Sequence, residues 1–211
     1  MVSMKNKLII LLIAVCSTIS GITTQELYHS LISKYEGIET FQADIEQTSY
    51  FAELEITNTS QGKLYHNPEK IKIEYTSPKI EKISLVDNIV RIYQAESDRL
   101  IMTYADSTIA SLKMEYLIKR IWDDENIALS EVDDNYVVKL VLTPKNALAN
   151  IDNIILTIPK NEILVKNVKY LDQSENEVSV TFSNIIINEP LREDIWEIEL
   201  TDNTQVIDYR E

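Results

Sequence analysis

Glycine is almost missing from this chain, with three in 211 residues. A phosphate cradle of the glycine-rich kind needs several glycines within a few positions, so that mode of nucleotide binding is excluded. Histidine is scarcer still. His29 falls in a stretch of helical periodicity and His66 stands beside a proline turn. No set of His, Cys, Asp and Glu has the spacing of metal ligands, and no serine, histidine and acid recommend themselves as a triad. The single cysteine, Cys16, lies in the first apolar segment, so a chain without that segment has no disulfide and no thiol chemistry. Positive charge is the minority sign, 20 Lys and Arg against 34 Asp and Glu, for a formal charge of −14. Such a surface repels nucleic acid, and aromatic residues are not interleaved with basic ones. It suits basic protein partners and serves solubility equally well. The acidic pairs Asp123–Asp124 and Asp133–Asp134 fall in predicted turns, and nothing links two carboxylates across a cleft as glycoside hydrolysis requires. The expectation is a protein that is not an enzyme and needs no cofactor.

Long apolar runs are confined to the beginning. Lys5 and Lys7 precede the run Leu8 to Val15, and small residues follow at Ser17, Ser20 and Gly21. That is the pattern of a cleavable signal peptide, too short to span a bilayer with ease. Cleavage is expected after Ser17 or Ser20, giving residues 1–20 as signal and 21–211 as a single exported domain. Loss of Lys5 and Lys7 takes the formal charge from −14 to about −16. A second reading makes Cys16 a lipidated cysteine, for which the branched Val15 before it is a poor fit.

Thr23 and Glu26 read as a capping box. Leu27, Leu31, Ile32 and Tyr35 then make one apolar face, and Gly37 is a natural stop, so a helix is predicted over residues 24 to 36. From Thr40 the period changes to two. Phe41, Ala43 and Ile45 alternate with Gln42, Asp44 and Glu46, and Ile71, Ile73 and Tyr75 alternate with Lys70, Lys72 and Glu74. Further strands fit residues 80–86, 89–94, 100–104, 127–132, 136–143, 154–158, 163–171, 178–187 and 196–200, joined by short polar turns such as Asn67-Pro68-Glu69 and Asp87-Asn88. This is the rhythm of an antiparallel meander. Between the two runs of strands, Asp106 can cap a helix reaching Trp122. Its apolar residues, Leu112, Met114, Leu117 and Ile118 among them, cover more than one stripe. It either plugs the core or contacts a ligand. A bent sheet with a helix over its mouth encloses a cavity of the kind that holds a lipid.

One stretch is more specific than its parts. Phe41-Gln42-Ala43-Asp44-Ile45-Glu46-Gln47 is followed by Gly62-Lys63-Leu64-Tyr65, by Pro68 to Tyr75, by Ser77-Pro78, then by Leu85-Val86-Asp87-Asn88 and Ile92-Tyr93. In this order and spacing the chain resembles the LolA family, the periplasmic carriers of outer-membrane lipoproteins. The resemblance extends more weakly through Leu140-Val141-Leu142-Thr143-Pro144-Lys145. It implies a mainly β, α+β fold: a curved, incomplete antiparallel barrel of about eleven strands with a helical lid or plug. It implies a monomer in the periplasm that takes acylated lipoproteins from an inner-membrane ABC transporter to an outer-membrane acceptor, with no nucleic acid involved. The acyl-binding cavity is then expected from Phe41, Ile45, Leu64, Ile71, Ile73, Tyr75, Leu85, Ile92, Met102, Leu112, Met114 and Leu117. The family pattern has a basic residue, often arginine, where this chain has Asn67, and there it helps hold the lid closed. Asn67 is thus the lid-gate position, occupied by an uncharged and shorter side chain. Two further readings use the same half-barrel: a lipid-anchored acceptor, which needs lipidated Cys16, and a periplasmic lipid-sensing regulator.

The energetics favour some such container. Each buried methylene is worth about 0.8 kcal/mol, so one palmitoyl-sized chain represents on the order of 10 kcal/mol against water.

Overall fold

The computed structural model describes residues 21–105, 118–119, 121–122, 126–142, 151–172 and 174–210. Helix α1 spans Thr24–Glu36 and opens on the predicted capping box: the Thr23 hydroxyl accepts from the Glu26 N–H, and the Thr23 N–H donates to the Glu26 carboxylate at 2.8 Å. Two N–H groups that a helix start leaves orphaned are thereby satisfied. Leu27, Leu31 and Tyr35 share the buried face. Gly37 ends the helix with φ −87° and its N–H on the Tyr35 carbonyl, so this stop does not depend on a left-handed glycine.

Among the described residues, twelve strands form one sheet: β1 (Phe41–Phe51), β2 (Ile56–His66), β3 (Ile71–Ser77), β4 (Glu81–Val86), β5 (Ile89–Gln94), β6 (Arg99–Tyr104), β7 (Ile127–Val132), β8 (Asn135–Val141), β9 (Ile151–Pro159), β10 (Asn167–Asp172), β11 (Glu177–Ile187) and β12 (Gln205–Asp208). Their order is β12-β6-β5-β4-β3-β2-β1-β11-β10-β9-β8-β7. Two antiparallel meanders, β1 to β6 and β7 to β11, are therefore joined where β1 pairs with β11, Phe41 opposite Ile187. The sheet stays open, with β7 and β12 as its edges. It is strongly curved. Five strand spacings separate β3 from β9, roughly 24 Å on a flat sheet, yet Ile73 and Leu156 line one cavity.

The expected mainly β, incomplete barrel with a helical cover is what forms, and it differs in three details. The strand expected over 196–200 is absent. Glu193–Trp196 is a short 3-10 turn, and the carbonyls of Ile195 and Glu197 accept from the Lys72 ammonium at 2.6 and 2.7 Å instead of joining a ladder. The last strand is β12, which pairs parallel to β6, Gln205 opposite Arg99, so the sheet is not wholly antiparallel. The strand expected from Ile163 begins only at Asn167, because Ile163 sits in a turn at φ 51°, a conformation that excludes it from a strand and that β-branched residues rarely adopt.

The expected helix over residues 106–122 lies mostly outside the described residues. At its end, Ile118, Lys119 and Ile121 are helical. Ile118, Ile121 and Trp122 are buried with the α1 face in the core that covers the inner side of β8, β9 and β11. Trp122 packs on Tyr28 at 5.4 Å between ring centroids, and Lys119 pairs with Glu36 at 2.9 Å. These contacts bind the segment to α1 above the inner face.

Candidate functional site

The inner face is made by alternation. Register places Ala43, Leu64, Ile73, Ile83, Ile92 and Ile101 in one cross-strand row from β1 to β6, and Val138, Leu156, Val168 and Val180 in a row leading from β8 to Gln47 of β1. Directly opposed residues of antiparallel strands project from the same face. Curvature brings the two rows towards each other. Where they meet, with Ile118 and Ile121 above, a cavity of about 220 Å³ remains.

One wall is Ile45, Leu64, Ile71, Ile73 and Tyr75; the other is Ile154, Leu156, Val168, Val180 and Phe182. Gln47 joins them. Among the described residues, only Gln47 and the hydroxyl of Tyr75 bring polar side-chain atoms to the lining. Tyr75 donates to the Gln47 carbonyl at 2.7 Å, and the Gln47 amide donates to the Ser49 hydroxyl at 3.2 Å. Burial, then the nearby charge of Glu81, raises the pKa of Tyr75; burial, then Asp172, raises that of Tyr170. Both phenols stay neutral donors at ordinary pH. Deeper in the core, the Tyr35 hydroxyl accepts from the Val165 N–H at 3.1 Å, and burial pushes its pKa to about 12. Among the described residues no group of three or more His, Cys, Asp or Glu could hold a metal, and no helix is long and apolar enough to cross a membrane. What the site can do is bury hydrocarbon.

Residues 36–199 match the family model of the outer membrane lipoprotein carrier protein LolA. The chain belongs to the LolA family. Comparison with curated proteins gives no match. Among solved structures, an uncharacterized conserved protein from Thermus thermophilus shares the fold at TM-score 0.57 and 11% identity, over 87% of this chain and 98% of that one. The lipoprotein LppX of Mycobacterium tuberculosis aligns at TM-score 0.49 and 11% identity, over 81% and 99%. A LolA superfamily protein from Nitrosomonas europaea aligns at TM-score 0.44 and 8% identity, over 84% and 99%.

Within this LolA-family chain the sequence-predicted lining divides. Ile45, Leu64, Ile71, Ile73 and Tyr75 come together at the cavity. Phe41 is in the core behind it, its ring edge-on to Phe182 at 6.3 Å. Leu85 and Ile92 lie on the inner face, opposite Ile71 and Ile83 respectively, but outside the cavity lining. Met102 lies on the other face: it opposes Arg91, which opposes Ser84, which opposes Lys72. The alternation of β6 gives the inner position to Ile101. Leu112, Met114 and Leu117 fall outside the described residues. Asn67 holds its own hairpin. Its side-chain oxygen accepts from the N–H groups of Glu69 and Lys70 at 3.0 and 2.7 Å, and its N–H donates to the Lys70 carbonyl at 2.9 Å. This is a turn-forming role typical of asparagine. The second wall, from β9 to β11, is not among the sequence-predicted lining. Its alternation, Ile154-Leu156-Ile158 and Val178-Val180-Phe182, is visible in sequence, but no local pattern says that it closes over β3.

Proposed function

We propose that this protein binds the acyl chains of lipoproteins in the cavity between β3 and β9 and carries them across the periplasm from the inner to the outer membrane. The observation that supports this most is a lining almost wholly of aliphatic and aromatic side chains, set inside a LolA-family fold. A hydrocarbon chain gains from every methylene it buries there, and an apolar cavity with one small polar group matches the usual build of a lipid site. In this reading Ile45, Leu64, Ile71, Ile73 and Tyr75 contact the chains. The donor is an inner-membrane ABC transporter of the lipoprotein-sorting system, and an outer-membrane acceptor receives the cargo. The protein acts by binding and release, without chemistry, as an exported monomer whose residues 1–20 are its signal.

A cavity of about 220 Å³ is below the span of roughly 300–1,000 Å³ typical of ligand clefts. A triacylated lipid therefore needs the walls to part, and loading widens the gap between the sheet and the segment at Ile118 and Ile121. Native mass spectrometry of the protein purified from its own periplasm tests the reading. Acyl-bearing lipoprotein should co-purify with the wild type, and an Ile73→Asp variant that keeps its melting temperature should carry none. A folded Ile73→Asp variant with normal cargo would place the lipid elsewhere.

A further inference from the structure

Along the inner side of β1, Phe41, Ala43 and Ile45 are buried, Gln47 and Ser49 are half-buried, and Phe51 is exposed at the hairpin tip. The hydrogen-bonded run Tyr75–Gln47–Ser49 thus stands between the apolar base and the open end. An apolar site gains nothing for hydrocarbon from such a group, since half-buried polar atoms cost free energy unless they are paired. An amide has two N–H donors and a phenol oxygen two lone pairs. The bond to Ser49 uses one amide N–H, and the bond to Gln47 uses the phenol proton, which leaves a donor and an acceptor side by side for a ligand.

We propose that Gln47 and Tyr75 read the carbonyl of a neutral acyl ester or acyl amide whose tail occupies the cavity, and that they exclude free fatty acids. The proposal rests on the acyl-carrier reading and adds a headgroup selection to it. The remaining Gln47 N–H meets the ligand carbonyl. The Tyr75 oxygen can accept from the N–H of an acyl amide. A carboxylate finds no such welcome. Among the described residues no lysine or arginine lines the cavity, and the charged groups felt at the phenols of Tyr75 and Tyr170 are Glu81 and Asp172. A desolvated anion without a cation is expelled.

The test measures binding of four probes delivered from cyclodextrin at pH 8: hexadecane, methyl palmitate, N-methylpalmitamide and palmitate. Wild-type protein should bind the ester and the amide at least about tenfold more tightly than palmitate. Gln47→Leu should weaken ester and amide binding by about three- to tenfold, one ordinary hydrogen bond, and leave hexadecane unchanged or tighter. Tyr75→Phe, which removes the acceptor and frees the Gln47 carbonyl but keeps the ring, should weaken the amide more than the ester and leave hexadecane unchanged, so the proposal stands or falls on this variant if Gln47→Leu does not fold. Equal losses for hexadecane and ester would make Gln47 a packing residue and overturn the proposal, as would palmitate binding as tightly as its methyl ester. If wild-type protein binds none of the four, the acyl-carrier reading fails and takes this one with it. If hexadecane, ester and palmitate all bind alike, only the headgroup selection fails.

Discussion

Ile71 and Lys72 are neighbours on β3, face opposite sides of the sheet, and are about equally buried, at 6% and 3% exposure. On the inner side, isoleucine joins a hydrocarbon wall with Leu64 and Ile73, across the cavity from Leu156. On the outer side, the lysine is covered by the segment around Ile195 and Glu197, whose carbonyls it holds, and its ammonium also pairs with Glu74 at 2.8 Å. The two faces use burial differently. The inner face leaves its apolar surface open enough to form a cavity, and, the Gln47–Tyr75 pair aside, its hydrocarbon wall holds what fills it without direction. The outer face is closed by the chain's own C-terminal segment, and that closure is directional: one ammonium with three acceptors. Lys70 adds to it, its ammonium 5.6 Å from the centre of the buried Trp196 ring. A non-directional wall suits a cargo that must leave, and a directional clamp suits a cover that must not.

The strongest way to break this contrast is to remove the clamp. Lys72→Ala strands two carbonyls and a carboxylate under the cover, and losing one partner of a buried ionic cluster costs about 3–5 kcal/mol. The lower end is expected here, because Glu74 retains some access to solvent, at 25% side-chain exposure. Urea unfolding measures the loss. Limited proteolysis shows where it falls: residues 198–204 should become cleavable in Lys72→Ala but not in Ile71→Ala, although both variants lose stability. Equal protection in the two would mean that the lysine is ordinary core filling and that the contrast between faces is false.

How far the two faces can be read in advance follows the same division. The inner face of the first meander is local information: period-two runs put Ile71, Ile73 and Tyr75 on one side, and the capping box at Thr23 and Glu26 fixes α1. The second wall is not local, since it depends on β1 pairing with β11 at a separation of 146 residues, Phe41 with Ile187. The outer cover misleads because Trp196 to Leu200 has the alternation of a strand, while the carbonyls of Ile195 and Glu197 are held by a lysine side chain that no periodicity announces. Strand β2 shows the opposite failure. Ile56 to Gln61 is nearly all polar and has no inward stripe, yet it pairs along its length with β1, because the hairpin register carries it beyond the part that faces the core.

A smaller effect sharpens the inner side. Gly62 lies between Ile45 and Tyr75 in the cross-strand row, next to an irregularity at Gln61. A Cβ built there would stand 2.2 Å from the Glu74 carbonyl oxygen and 2.9 Å from the Tyr75 Cα. Those are backbone atoms and cannot swing aside, so Gly62→Ala must push β3 away from β2. Forcing extra volume into a packed site costs about 1–3 kcal/mol. The displacement moves Ile73 and Tyr75, two cavity residues, while the Lys72 clamp should keep β3 attached to the outer cover. The expected result is a lowered melting temperature, altered acyl-probe binding and unchanged protease resistance at 198–204. A variant with wild-type stability and wild-type probe binding would show that the close approach at Gly62 is not what sets the width of the cavity.

The smallest effect concerns the far edge of the outer cover, where Asp98 ties down the end of the chain. Its carboxylate accepts from the hydroxyls of Thr201 at 2.6 Å, Thr204 at 2.7 Å and Tyr93 at 3.1 Å, and its backbone carbonyl accepts from the Gln205 N–H at 2.9 Å where β12 begins. The Thr201 hydrogen bond, followed by that of Thr204, holds the Asp98 pKa below the ordinary aspartate value. A carboxylate with a lowered folded pKa stabilises the fold fully above its unfolded pKa of about 4. That contribution fades as pH falls through the lower folded value. The protonated acid would have to give up acceptor capacity that the ionised group offers to three hydroxyl donors at once. The prediction is therefore local and pH-dependent in a stated direction. Hydrogen exchange at the β12 amides should accelerate in Asp98→Asn relative to wild type at pH 6, after correction for intrinsic rates. The difference between the two proteins should shrink progressively as pH is lowered from about 4, while amides of β3 beneath the Lys72 clamp stay equally protected in both. If the difference between variant and wild type does not shrink as pH falls below about 4, the ionised carboxylate is not what holds this edge. If β3 loosens together with β12, the outer cover is one unit, not a clamp at Lys72 with a separately fastened end.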